Sequence, residues 1–320
     1  MSSPLSLSPL SPKLPCKVST AFQAGQLYGS AQGLLLAKAA QQHDGPILVL
    51  SDDAASAHKL EIEAQFYLGE TKLPILHFPD WETLPYDTFS PHQDIISERL
   101  ETLHQLPNFK RGILLVPITT IMHRIAPRSF LEGNTLFLKT GDTFNLEQWR
   151  SRLEKAGYRY VSQVMEHGEF AVRGAIIDLY PMGSKSPYRI DLFDDEIDTL
   201  RTFDPESQRS IENIDSLELL PAREFPVSED SIQRFRQQFR QQFEGDPQKS
   251  LIYREVSEGN MPGGIEYYLP LFLEQTNSLV DYLPDNTLLL NINDPHQAAN
   301  AFWQEVDQRY QQHYVDKERP

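Results

Sequence analysis

The stretch "QLYGSAQGLLLAKAA" at residues 26–40, followed by "GPILVLSDD" at 45–53, decides how the chain is read. It has the outline of a phosphate-binding loop that runs into a helix and then a buried strand. Such a loop needs G-x-x-x-x-G-K-[ST]. Its glycines let backbone N–H groups approach the phosphates, its lysine brings positive charge, and its hydroxyl holds magnesium. On that frame Gln26 stands for the first glycine, Ala31 for the second, Gln32 for the lysine and Gly33 for the hydroxyl residue. Gly29 and Ser30 keep the turn, and "LLLAKAA" keeps the helix, on which Lys38 lies too far along to reach a phosphate. The partner motif should be an apolar strand ending in paired acids. The strand in "TLLLNINDPH" instead offers Ile292 and Asn293 at its exit, with Asp294 one step late. The adjacent acids of "FDDEID" at 193–198 read as a solvated hairpin tip. The expectation is a nucleotide fold without a nucleotide site, and no ATP or magnesium on this chain.

Working outward, "GPILVLSDD", "PILHF" and "GILLVP" alternate with helical patterns at 53–67 and in "ITTIMHRI", which predicts a parallel sheet. In "SPHQDIISERLETLHQL", Ser90 is the expected N-cap, Pro91 the first helical residue and Gln93 the partner of a capping box. Ile96, Leu100 and Leu103 share the face predicted to pack on the sheet. From residue 136 a helix near 145–155 is followed by short alternating runs, "YRYVSQV", "EFAVRGAIIDLYP", "PYRIDLF", "EIDTLRTFD" and "IDSLELLP", as in a small antiparallel domain. The helical period returns with Ile232, Phe235, Phe239 and Phe243 as a core stripe, and "NTLLLNIN" at 286–293 resumes the strand texture of the first part. The predicted class is α/β: a discontinuous P-loop-NTPase-like, helicase-like parallel-sheet domain with degenerate nucleotide motifs, interrupted by a small β-rich α+β insert. Its expected parts are a flexible lead-in at 1–19, the first α/β part at 20–135, the insert at 136–221 and the second α/β part at 222–320.

Composition narrows the function classes. The formal charge of −16, from 45 acidic and 29 basic side chains, gives an averaged field that repels polyphosphate and argues against tight DNA binding by this chain alone. The single cysteine, Cys16, can make neither an internal disulfide nor a cysteine-rich zinc site, and the nine histidines show no H-x-H or H-x-x-x-H spacing. No apolar run approaches the roughly 20 residues of a membrane span, so a soluble protein is expected. The opening "MSSPLSLSPLSPKLP" lacks the pattern of a secretory signal, and the closing "DKERP" carries no cap, as at a cut within a longer polypeptide.

Strand alternation in "PYRIDLF" puts Tyr188, Ile190 and Leu192 on one face and Arg189, Asp191 and Phe193 on the other. The second face pairs an arginine with an aromatic, a combination frequent at interface hot spots. Arg173 precedes Gly174, where a tight bend can turn the guanidinium outward. The plainer alternative is that either arginine pairs with Asp178 or Asp191 within the sheet and that Phe193 folds under the hairpin. His167 and Glu169 in "EHGEF" have no nucleophile nearby in sequence and are not read as catalytic.

Several long strings carry a resemblance: "DWETLPYDTFSPHQDIISERL", "QVMEHGEFAVRGAIIDLYPMG", "YRIDLFDDEIDTLRTFDPESQRS", and "GIEYYLPLF" followed by "DYLPDNTLLLN". They resemble the amino-terminal UvrB-like region of the bacterial transcription-repair coupling factors (Mfd), across nearly all of residues 20–300. The resemblance implies a module that recruits UvrA of nucleotide excision repair through the insert, with Arg173, Arg189 and Phe193 as the docking residues. ATP, magnesium, RNA polymerase and double-stranded DNA are then expected to engage domains absent from this chain, in the bacterial cytoplasm. UvrB's aromatic DNA-clamping hairpin would fall near Trp81, Tyr86 and Phe89, which read as packing. Two rival readings remain open: a UvrB-like ATPase that loads on damaged DNA, and a clamp that acts only within its own polypeptide.

Overall fold

The loop at 26–30 leads into helix α1 (Ala31–Gln42) and strand β1 (Pro46–Ser51), then α2 (Ala54–Leu68) and β2 (Ile75–His77). These belong to a computed structural model of the chain that describes residues 10–15, 21–313 and 320. Cys16 and most of the two terminal segments lie outside the described residues. The order continues with α3 (Gln93–Gln105), β3 (Gly112–Pro117), α4 (Ile118–Ile121), α5 (Arg128–Asn134), β4 (Leu136–Lys139), α6 (Leu146–Lys155), β5 (Arg159–Tyr160), β6 (Glu169–Arg173), β7 (Ile176–Leu179), β8 (Tyr188–Phe193), β9 (Glu196–Phe203), β10 (Ser210–Ile214) and β11 (Ser216–Leu219). It closes with α7 (Glu229–Gln242), α8 (Leu251–Ser257), α9 (Leu269–Phe272), β12 (Leu288–Asn291) and α10 (Pro295–His313).

The chain forms two compact units. The first takes in described residues up to Asp80, Gln105–His123 and Val280–Trp303. Its four strands form an all-parallel sheet in the order β12-β1-β3-β2, so a strand from near the chain's end flanks the first one. Both β1 and β3 are buried along their whole length, the pattern of strands covered on both faces. Ile47, Val49, Ile113 and Leu115 meet Leu36 and Ala40 of α1 and Ala57, Leu60 and Ala64 of α2 in one core. Asp53 caps α2 by accepting the Ser56 N–H at 2.7 Å. At Gly33, α1 crosses so close to α2 that an added Cβ would stand 2.3 Å from Glu63 Cβ. Gly33 is therefore a packing residue.

The second unit takes in Trp81–His104, Arg124–Leu279 and described residues from Gln304 on. It holds a six-stranded sheet in the order β10-β9-β8-β7-β6-β5 and a two-stranded one made of β4 and β11. The insert is not wholly antiparallel as the alternating runs implied: β5 pairs parallel to β6, reached through the 161–168 crossover. The α3 helix groups with this unit, and Ile96, Leu100 and Leu103 are buried. Its Ser97 Oγ accepts the Gly183 N–H at 2.8 Å. Arg99, fully buried, donates from Nε at 2.5 Å and Nη2 at 3.1 Å to Glu224, which also accepts the Trp81 indole N–H at 3.0 Å.

The expected capping box of α3 does not form. The helix starts at Gln93, and Ser90 Oγ instead donates to Glu266 Oε2 at 2.8 Å and accepts the Gly264 N–H. Burial pushes the Glu266 carboxyl above its usual range. On α7, capped by Ser228, Phe235 and Phe239 are buried against Phe272 and Tyr253, with ring centroids 4.8 and 5.3 Å apart. Of the aromatics near residue 85, Trp81 is buried and Tyr86 stacks on His313, as packing residues do, whereas Phe89 is exposed.

Candidate functional site

Register and pleat assemble the polar face of the six-stranded sheet. Ile177, Ile190 and Leu200 are cross-strand neighbours, and their buried side chains line one face. Alternation then sends Ala171, Asp178, Arg189 and Arg201, also cross-strand neighbours, to the other. Asp178, 1% exposed, is the centre of this face. It accepts Arg189 Nε on Oδ1 at 2.7 Å and Nη2 on Oδ2 at 3.0 Å, a bidentate fork, and it also accepts from Nη2 of Arg173. Both arginines singled out from the sequence thus converge on one carboxylate, the pairing that the plainer alternative describes.

The two guanidiniums are not equivalent. Arg189 is 13% exposed, lies 4.8 Å above the Phe203 ring and spends a further N–H on the Gln208 carbonyl at 3.1 Å. Its hydrogen bond to Asp178 holds it above the ordinary guanidinium range, so it stays charged. Arg173 is 48% exposed and gives Asp178 a single contact, which leaves most of its five N–H donors to solvent. It ends β6 beside the two-residue turn that Gly174, at φ +63°, makes possible. Phe193 is 74% exposed and does not fold under the hairpin. It follows Leu192, whose N–H bonds the Ala175 carbonyl, so Phe193 lies at the same end of the sheet as the Arg173 turn.

The sequence reading missed two members of this face. Arg201 pairs with Asp191, which also accepts Thr199 Oγ1 at 2.8 Å, and Gln208, at φ +61°, ties the Val164 and Pro205 carbonyls together. The spacing of Arg201 opposite Arg189 on adjacent antiparallel runs was the available signal. His167 and Glu169 have structural partners: His167 bonds Asp94 and the Ser184 carbonyl, each at 2.8 Å, and Glu169 accepts the Met165 and Glu166 N–H groups and Arg159.

At the 26–30 loop a turn forms: the Ala31 N–H bonds the Tyr28 carbonyl, with Gly29 at φ +59° and Gln26 at +61°. Ser30 Oγ bonds the Tyr67 hydroxyl at 2.6 Å. Gln32 and Asn293, which read from the sequence as replacements for a lysine and an acid, meet each other. Gln32 Nε2 donates to Asn293 Oδ1 at 3.4 Å, and Asn293 Nδ2 donates to Asp52 Oδ2 at 2.9 Å. Ile292 is buried in the core. Among the described residues no group of three or more acidic, histidine or cysteine side chains is placed to hold a metal, and no helix is long and apolar enough to cross a membrane.

The second unit is a mixed α/β scaffold with a charged sheet face and an exposed aromatic at its end. Comparison with known proteins finds relatives for the chain. Residues 136–225 match the UvrB interaction domain family. The chain is 47% identical over 308 residues to the transcription-repair-coupling factor of Escherichia coli (strain K12), covering 96% of this chain and 27% of the relative. It is 44% identical to that of Haemophilus influenzae over 312 residues, with 97% and 27% covered, and 29% identical to that of Bacillus subtilis over 278 residues, with 82% and 23% covered. The chain is thus similar to transcription-repair-coupling factors over most of its own length, and it spans about a quarter of the length of those relatives.

Proposed function

We propose that this chain is a docking module that recruits UvrA through the exposed end of its charged sheet face. Arg173 supplies a guanidinium for bidentate recognition of a partner carboxylate, Phe193 supplies an apolar anchor, and Arg189 fixes the face while offering its remaining donors. The observation that carries this reading is the Asp178 clamp. One buried carboxylate aims two guanidiniums and leaves the outer one half in water, at the same end of the sheet as the exposed Phe193 ring. RNA polymerase and double-stranded DNA would be engaged by the parts of the longer relatives that lie outside this chain. Titration of the chain with purified UvrA tests the reading: saturable binding supports it, and none would leave an intramolecular clamp as the better account.

We also infer that the first unit is a degenerate P-loop-NTPase-like domain that binds no nucleotide and has no ATPase activity. Gln32 brings no charge to a phosphate, and its amide is engaged with Asn293, which itself cannot serve as a magnesium carboxylate. ATP with magnesium should leave the melting temperature unchanged, since a ligand that binds only the folded state raises it.

A further inference from the structure

The outer face of α7 and the end of α8 enclose a groove of about 890 Å³ lined by Arg236, Arg240, Gln233, Gln237, Gln241 and Ile232 on the α7 side. We propose that this groove binds an extended acidic peptide of a partner protein, with two carboxylates separated by one residue. The argument begins with spacing. Arg236 and Arg240 lie one helical turn apart, about 6 Å along the axis. On an extended chain, side chains two residues apart point the same way at about 6.6–6.8 Å. An acid-x-acid segment laid along α7 therefore presents one carboxylate to each guanidinium. Gln233, Gln237 and Gln241 repeat at the same interval beside them, and each amide offers both a donor and an acceptor, the complement of a peptide backbone.

Charge and order agree with this occupant. Both arginines are exposed and form no ion pair among the described residues, whereas Arg234 of the same helix is taken by Glu274 at 2.6 Å. Arg240 is steadied 5.5 Å above the ring of buried Tyr253. A nucleic-acid strand fits less well. Among the described residues no aromatic lines the groove to stack a base, Glu229 and Glu258 line it and oppose a continuous polyanion, and two arginines supply only two phosphate contacts.

Fluorescence anisotropy at low salt tests this with the labelled peptide Gly-Ser-Gly-Asp-Ser-Asp-Gly-Ser-Gly. The parent chain should bind it saturably. Binding should weaken about tenfold or more in Arg236→Glu or Arg240→Glu, and likewise for peptides with the aspartates replaced by asparagine or placed adjacent, because each step removes a charge-assisted hydrogen bond. Both substitutions are at exposed positions, so the melting temperature should hold and serve as the folding control. No binding by the parent, equal binding by the arginine variants or by the altered peptides, or tighter binding of an oligothymidylate than of the peptide would each overturn the proposal.

Discussion

Replacing Arg189 and Arg173 by alanine should have very different effects on stability, although both contact the same carboxylate. Arg189→Ala removes the bidentate partner of a 1% exposed Asp178 and leaves it one contact from a half-exposed arginine. Breaking a buried pair from one side costs about 3–5 kcal/mol; because Arg173 remains, the low end applies, about 3 kcal/mol. Arg173→Ala leaves the fork intact and removes a contact that is half in water, worth about 1 kcal/mol or less. For a unit of roughly 150–250 residues, each kcal/mol moves the midpoint by about 2–4 °C, so the expected drops are about 6–12 °C for Arg189→Ala and under about 4 °C for Arg173→Ala. Calorimetry of the two variants beside the parent at neutral pH reads this directly. Equal drops, or a larger one for Arg173→Ala, would refute the view that Asp178 is anchored mainly by Arg189. The difference also decides which variant is informative about docking. Loss of UvrA binding in Arg189→Ala mixes surface chemistry with damage to the sheet, while Arg173→Ala isolates the surface.

Other outcomes follow from the same structure. Gly33→Ala should destabilise by about 1–3 kcal/mol in a urea titration, because its new Cβ would meet Glu63 at a packed helix crossing. Asp53→Ala should cost about 1 kcal/mol as a lost N-cap. Hydrogen bonds from Ser56 hold the Asp53 carboxyl below its usual range. Its contribution is therefore present above the unfolded-state pKa and lost as pH falls through the lower folded one, and the gap between parent and variant should close on acidification. Phe193→Ser should leave stability within about 0.5 kcal/mol, since the ring is exposed. The same change should weaken UvrA binding about tenfold or more, as loss of an aromatic anchor does.

Much of the fold was legible because local chemistry agreed with tertiary need. The continuous apolar runs of "GPILVL" and "GILLVP" became the doubly covered β1 and β3, and the period-two pattern of residues 188–193 put Ile190 inside and Phe193 outside. What was not legible depended on distant partners. Ser90 had every local mark of a cap, but Glu266, 176 residues away, competes for its hydroxyl and won. The Arg99 bond to Glu224, 125 residues away, likewise depends on a partner no local pattern shows. At the candidate site, alternation supplied the face but could not tell which aspartate each arginine would choose. That choice rests on the β7–β8 register, Asp178 opposite Arg189, and no single strand contains it.

Whether the exposed end of this sheet face docks UvrA can be read from calorimetric titration of UvrA into the parent and into Arg173→Ala, with melting curves for both. Saturable binding by the parent is expected, with about a tenfold or greater loss of affinity in the variant at a nearly unchanged melting temperature. An unchanged dissociation constant in a folded Arg173→Ala chain would contradict docking there.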